Sequence, residues 1–159
     1  MKENIKIILV TTLSLVLDQI IKYIITTNLK LTEMIQVIKN FFRITYVQNT
    51  GAAFSIFTDS KTFLIILSIL ILLILVYYIT KTKHYKYDFI LYGMLIGGIL
   101  GNLIDRMRLG YVIDYLDFNL GGYNFPVFNL ADTFIVISGI ILMIRIMMED
   151  KKWYLMEKI

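Results

Sequence analysis

The apolar residues of this chain gather into four long runs separated by polar stretches. The first extends from about Ile5 to Ile25 and is interrupted by Lys6, Asp18, Gln19 and Lys22. Its charged start, Lys2 to Lys6, followed by Ile7 to Leu17, resembles a signal peptide. No small-residue cleavage site follows, however, and the apolar pattern resumes at Ile20, so a retained helix is predicted. The second run covers about 62–80. Its cleanest part, Phe63 to Ile79, has Ser68 as its one clearly polar residue. At about 1.5 Å per residue that part spans roughly 26 Å, most of a ~30 Å hydrocarbon core. The third run lies at about 88–106 and the fourth at about 131–148. The pattern predicts an all-α polytopic membrane protein with four transmembrane helices in one membrane-embedded domain, 1–159.

The polar stretches differ in kind. Residues 28–60 hold no run of membrane length, but Phe42 to Val47 is rich in β-branched and aromatic residues and predicts a strand. Gln48-Asn49-Thr50-Gly51 then reads as a turn, followed by the small residues Ala52 and Ala53. A small β-containing cap over one membrane face is expected. Four spans put both termini on one side. The connector Lys81-Thr82-Lys83-His84-Tyr85-Lys86 lies on that side too, and its lysines make it cytoplasmic by the positive-inside rule. Lys30, Lys39, Arg43, Lys61 and Arg108 on the opposite side weigh against this orientation without reversing it. The cap and the stretch from Tyr111 to Asp132 then face outward.

Composition agrees with the pattern. The chain is 58% hydrophobic, against about 45–50% apolar residues in a soluble domain, and its mean hydropathy is +0.72. The net charge of +4 comes from basic residues that are scattered or flank apolar runs, so it does not point to nucleic acid. The absence of cysteine rules out disulfides, thiolate chemistry and zinc–thiolate sites. The single histidine, His84, has no partner at metal-ligand spacing, and neither a metal nor a cofactor is expected.

Charged groups at membrane depth are costly and need a reason. Asp18 and Lys22 are four residues apart and share a helix face, which suits an ion pair. Asn102, Asp105 and Arg106 cluster at the end of the third run, where Arg106 could grip a carboxylate, with Asp105 nearest. Arg145 reads as a snorkelling anchor. Gly93, Gly97 and Gly101 recur every four residues and suit close approach of a neighbouring helix.

The stretch from Tyr111 to Asp132 carries Asp114, Asp117 and Asp132 along with the only proline, Pro126. Asp117 reads as a solvated acid. Taken singly, Asp132 fits a first-turn helix acid and Asp114 a loop acid. Together in a low-dielectric site they would share one proton, the arrangement of an aspartic peptidase. Spacing does not establish that the two meet.

Five blocks, in order, resemble the lipoprotein signal peptidases, or signal peptidase II. They are Asp18-Gln19-Ile20-Ile21-Lys22, Asn49-Thr50-Gly51-Ala52-Ala53-Phe54, Gly101-Asn102-Leu103-Ile104-Asp105-Arg106, Val112-Ile113-Asp114-Tyr115 and Phe128-Asn129-Leu130-Ala131-Asp132. The resemblance implies that Asp114 and Asp132 are a catalytic dyad. It also implies that Asn49, Gly51, Asn102, Arg106, Asn129 and Ala131 line or support the site, with Asp18, Lys22 and Asp105 in its ordering network. It implies as substrates prolipoproteins with a diacylglyceryl-modified cysteine, cut just before that cysteine at the outer face of the bacterial cytoplasmic membrane. The enzyme would be a monomer in contact with membrane lipids. Ile21 and Ser55 depart from the usual pattern, where Ser or Thr and Gly are common; neither touches the dyad. The rival readings are a small proton- or ion-coupled transporter, which would place acids near the bilayer midplane, and a membrane adaptor using the glycine face.

Overall fold

The computed structural model describes residues 2–51, 60–81 and 88–156. These form helix α1 (Lys2–Asn28), strands β1 (Met34–Ile38) and β2 (Phe42–Asn49), helices α2 (Lys61–Lys81) and α3 (Phe89–Arg108), strands β3 (Val112–Leu120) and β4 (Tyr123–Asn124), and helix α4 (Leu130–Met156). Each helix contains a stretch long and apolar enough to cross a membrane: Asn4–Asn28, Lys61–Lys81, Phe89–Arg108 and Leu130–Met148. The four predicted runs are therefore all helical. Ala52, Ala53, Phe54, Ser55 and most of the basic connector fall outside the described residues.

Hydroxyls in the helices turn back on their own backbone. Ser68 Oγ donates to Leu64 O at 2.8 Å and Thr133 Oγ1 to Asn129 O at 3.0 Å. Hydrocarbon surroundings would offer those groups no other partner. Large apolar side chains face outward instead, among them Ile66, Leu73 and Met147. That inversion of the soluble pattern suits lipid contact.

Helix α3 is the central element and packs against each of the other three. Its glycines allow the close approach to α1 and α4. A Cβ at Gly93 would lie 2.5 Å from Val10 Cβ, and one at Gly97 2.7 Å from Ser14 Cβ. Both positions face α1, as the four-residue spacing predicts. Gly98, which the spacing does not single out, faces α4, where a Cβ would come 2.5 Å from Ala131 O.

The four strands form one antiparallel sheet in the order β1-β2-β3-β4. Strand β2 confirms the predicted strand and runs two residues further, so Gln48 and Asn49 belong to it. The turn starts at Asn49, whose Oδ1 accepts from Gly51 N at 2.9 Å. Strand β3 is a correction to the polar-loop reading of Tyr111 to Asp132. Its register sets Arg43 opposite Asp117, Val47 opposite Asp114 and Asn49 opposite Val112. One apolar cluster, Ile25, Leu29, Tyr46, Ile113 and Tyr115, ties the sheet to the C-terminal end of α1.

Two charges also sit differently from expectation. Asp117 is buried, with Arg43 Nε 2.7 Å from its Oδ2, because the β2–β3 register brings the two together. Arg145 is not a free anchor but pairs with the buried Asp88 at the start of α3.

Candidate active site

The site forms where α1, α3, β3 and the first turn of α4 converge, and the order of that turn explains most of it. Helices begin with backbone N–H groups that lack intrahelical partners. Here each of the first three finds one. Leu130 N donates to Tyr115 Oη at 3.0 Å, Ala131 N to Asp18 Oδ1 at 3.1 Å and Asp132 N to Asn129 Oδ1 at 2.9 Å. Asp132 Oδ2 in return accepts from Asn129 N at 3.3 Å. This is the reciprocal pairing of a capping box. Asp132 is thus a first-turn acid, as its position in the sequence suggests, and it serves a second structure besides.

Asp114 approaches from β3. Its Oδ1 accepts from Asn129 Nδ2 at 2.7 Å and its Oδ2 from Asn49 Nδ2 at 2.8 Å. Asn129 therefore bridges the two carboxylates, through its side chain to one and its backbone to the other. Asn102 Nδ2 donates to Asp132 Oδ1 at 2.7 Å, while Asn102 Oδ1 accepts from Asn129 Nδ2 at 3.2 Å and Lys22 Nζ at 2.9 Å. The amide of Asn102 is held in one sense by a cation on one side and a carboxylate on the other.

Behind these lies a buried charge cluster. Lys22 Nζ stands 2.9 Å from Asp18 Oδ2 and 2.8 Å from Asp105 Oδ2. The expected helix-face pair is present, and a second acid joins it. Asp105 also accepts from Gln19 Nε2 at 3.0 Å and from Ile113 N at 3.3 Å, which docks the start of β3 against α3. Gly101 belongs to this cluster: a Cβ there would lie 2.5 Å from Asp18 Oδ2. The expected grip of Arg106 on Asp105 does not form, since Asp105 is committed to Lys22. Arg106 Nη2 instead donates to Gly51 O at 3.0 Å, fastening the end of β2 over the site.

Asp114 and Asp132 both border a cavity of about 560 Å³, with Asn49, Asn102 and Arg106 alongside. A second, mainly apolar cleft of about 670 Å³ runs between α2, α3 and α4 and is bordered by Asn102, Arg106 and Asp132 as well. Burial is the main cause that raises the Asp114 carboxyl, and the neighbouring Asp132 charge adds to it; together they take it from 3.8 to about 7.

The structure brings together every residue singled out from the sequence: Asp18, Lys22, Asn49, Gly51, Asn102, Asp105, Arg106, Asp114, Asn129, Ala131 and Asp132. Sequence reasoning leaves Gln19 and Tyr115 unassigned. Each is adjacent to a singled-out acid, Asp18 and Asp114, and that adjacency is the signal that could have found them.

Comparison with known proteins identifies the family and the fold. A family model described as Signal peptidase (SPase) II matches residues 10–148. A lipoprotein signal peptidase of Halothermothrix orenii is 40% identical over 143 residues, covering 90% of this chain and 96% of the relative. One of Staphylococcus aureus is 40% identical over 144 residues, covering 90% and 88%. A solved structure described as a bacterial membrane enzyme, obtained by the in meso method at 2.3 Å, superposes with a TM-score of 0.85 at 37% identity, covering 92% of this chain and 90% of the other. A second of the same description, at 1.9 Å, gives 0.79 at 39% identity, covering 88% and 91%. In sequence, in fold and over most of its length, this chain belongs to the signal peptidase II family.

Proposed function

We propose that Asp114 and Asp132 form the catalytic dyad of an aspartic endopeptidase that removes the signal peptide from diacylglyceryl-modified prolipoproteins. The carrying observation is the bridge made by Asn129, which holds both carboxylates at one cavity. Membership of the family supports a peptidase and gives the transporter reading no support.

The two acids are not equivalent. Asp132 stands in the first turn of α4, where the helix dipole favours a negative charge. Asp114 stands on a strand without that help and keeps its proton up to about pH 7. Asp132 is therefore the base and Asp114 the acid. Asp132 takes a proton from water as the water oxygen attacks the carbonyl carbon before the modified cysteine, while Asp114 donates to the carbonyl oxygen. Collapse of the tetrahedral intermediate breaks the C–N bond. Asp132 gives its proton to the cysteine nitrogen, which leaves as the mature N-terminus, while Asp114 takes a proton back from the intermediate's hydroxyl and the signal peptide leaves as a carboxylic acid.

The surroundings suit such a substrate. The mainly apolar cleft reaching Asp132 could take a signal helix and lipid chains from the side. The dyad lies at span ends, beside the sheet, at the extracytoplasmic face if the termini are cytoplasmic. The protein would act there as a monomer among membrane lipids.

The test is cleavage of a lipid-modified prolipoprotein by the purified protein in detergent. Asp114→Asn and Asp132→Asn should each abolish turnover in a folded protein, and turnover should persist with a metal chelator. Wild-type activity in either variant would sink the dyad.

A further inference from the structure

Strand β3 alternates its side chains between two faces. Val112 and Asp114 point into the 560 Å³ cavity, whereas Ile113 and Tyr115 join the apolar cluster with Ile25 of α1 and Leu29 just beyond its end. Tyr115 is 4% exposed, and its ring is fixed in that cluster. Its backbone is fixed as well, since Tyr115 N donates to Phe128 O at 3.0 Å. The hydroxyl at the end of this immobilised ring accepts from Leu130 N at 3.0 Å. Leu130 is the first residue of α4, two before Asp132.

We propose that Tyr115 is a positioning residue for hydrolysis: its hydroxyl clamps the first peptide of α4 to the strand that carries Asp114, and so sets the distance between the two acids. This rests on the dyad reading. Neighbouring residues of one strand then do two jobs. One presents the first carboxyl, and the next, pointing the other way, holds the helix that presents the second. The Asn129 bridge acts at the dyad itself, whereas the Tyr115 contact acts from behind it and leaves the cavity free.

The charged groups around the hydroxyl are Asp18 from α1, Asp132 from α4 and Asp114 from β3; with burial as the largest cause, they hold the phenol above its ordinary value. It therefore stays protonated and does not titrate with the dyad. A reacting pair displaced by about 1 Å can lose about a hundredfold in rate. Loss of the single Tyr115–Leu130 hydrogen bond implies a smaller and partial displacement.

The experiment compares Tyr115→Phe, Ile25→Ala and Asp114→Asn, each as the full chain in detergent, on a lipid-modified prolipoprotein. Ile25→Ala empties part of the same apolar cluster without touching the clamp, so it controls for lost packing. Tyr115→Phe should lower kcat about tenfold and leave KM within about twofold. Its alkaline limb should move to lower pH, because acids held further apart share a proton less tightly. Ile25→Ala should lose thermal stability and keep the wild-type pH profile. The proposal is overturned if Tyr115→Phe has wild-type kcat and pH profile, or if Ile25→Ala reproduces both changes. Activity in Asp114→Asn would instead remove the dyad reading beneath it.

Discussion

If Asp114 is held protonated by burial, replacing it with asparagine should abolish activity and yet stabilise the fold increasingly toward alkaline pH. The folded carboxyl titrates near 7, against an ordinary value of 3.8. The native state therefore binds this proton more tightly than the unfolded chain does, and wild-type stability falls as pH rises from about 4 through 7. At pH 5 the unfolded carboxyl is already ionised while the folded one is not, which costs the wild type about 1.5 kcal/mol. At pH 8 both are ionised and the cost reaches about 4 kcal/mol. The asparagine variant escapes both. Its relative stability should thus grow by roughly 2–3 kcal/mol between pH 5 and pH 8, or about 5–10 °C in Tm at the usual proportion for a chain of this size.

The absolute offset carries an opposing contribution, because the new amide at position 114 would turn a donor toward Asn49 Nδ2, which now donates to Asp114 Oδ2. Asn49 cannot flip freely, since its Oδ1 accepts from Gly51 N. That penalty, about 1–3 kcal/mol for an unsatisfied group, is the same at both pH values and cancels from the difference. The assay is thermal unfolding of wild type and Asp114→Asn in one detergent at pH 5, 6, 7 and 8. A gap in Tm that stays flat across this range would refute the raised carboxyl and, with it, the assignment of the shared proton to Asp114.

Two other perturbations test the frame that holds the proposed dyad. Lys22→Met leaves Asp18 and Asp105 facing one another without their cation and should cost about 3–5 kcal/mol, read as a lower Tm at neutral pH; an unchanged Tm would mean that the cluster is not held by charge. Gly98→Ala drives a Cβ to 2.5 Å from Ala131 O and 2.9 Å from Ile135 Cγ1, so the first turn of α4 must move. There kcat should fall at least about tenfold with a stability loss of about 1–3 kcal/mol, and wild-type values of both would show that the helices can separate without disturbing Asp132.

The helices were legible because hydrocarbon imposes a one-dimensional rule. Every run must be long and apolar, and the interruptions stand out. Asp18, Lys22, Asn102 and Asp105 were visible for that reason. The sheet was less legible. Phe42 to Val47 shows its β-branched and aromatic character openly, but β3 is buried on both faces over much of its length and carries two acids, which hides any alternation. A turn signal is present in Gly121-Gly122, whose φ values of 63° and 98° suit a tight hairpin, but it joins β3 to a strand of two residues. The solvated reading of Asp117 fails for the same reason. Its partner Arg43 lies in another polar stretch, and only the strand register brings them opposite each other.

The charge balance of the site bears on how the proposed dyad could share a proton. Four carboxylates, Asp18, Asp105, Asp114 and Asp132, surround two cations, Lys22 and Arg106. Lys22 contacts Asp18 and Asp105 and reaches Asp132 only through the amide of Asn102. Arg106 gives a hydrogen bond to a backbone carbonyl. The hydrogen bonds that Asp114 and Asp132 receive come from neutral amides, of Asn49, Asn102 and the side chain and backbone of Asn129. Neutral donors favour the ionised carboxylate too, but less than a directly paired guanidinium would, and at Asp114 burial outweighs them. A salt-bridged acid is a poor proton carrier. By committing its lysine to the two structural acids, the fold leaves the other pair oriented by neutral amides, with Lys22 and Arg106 acting on it only through space, and a proton shared within the proposed dyad would relieve the repulsion between its acids.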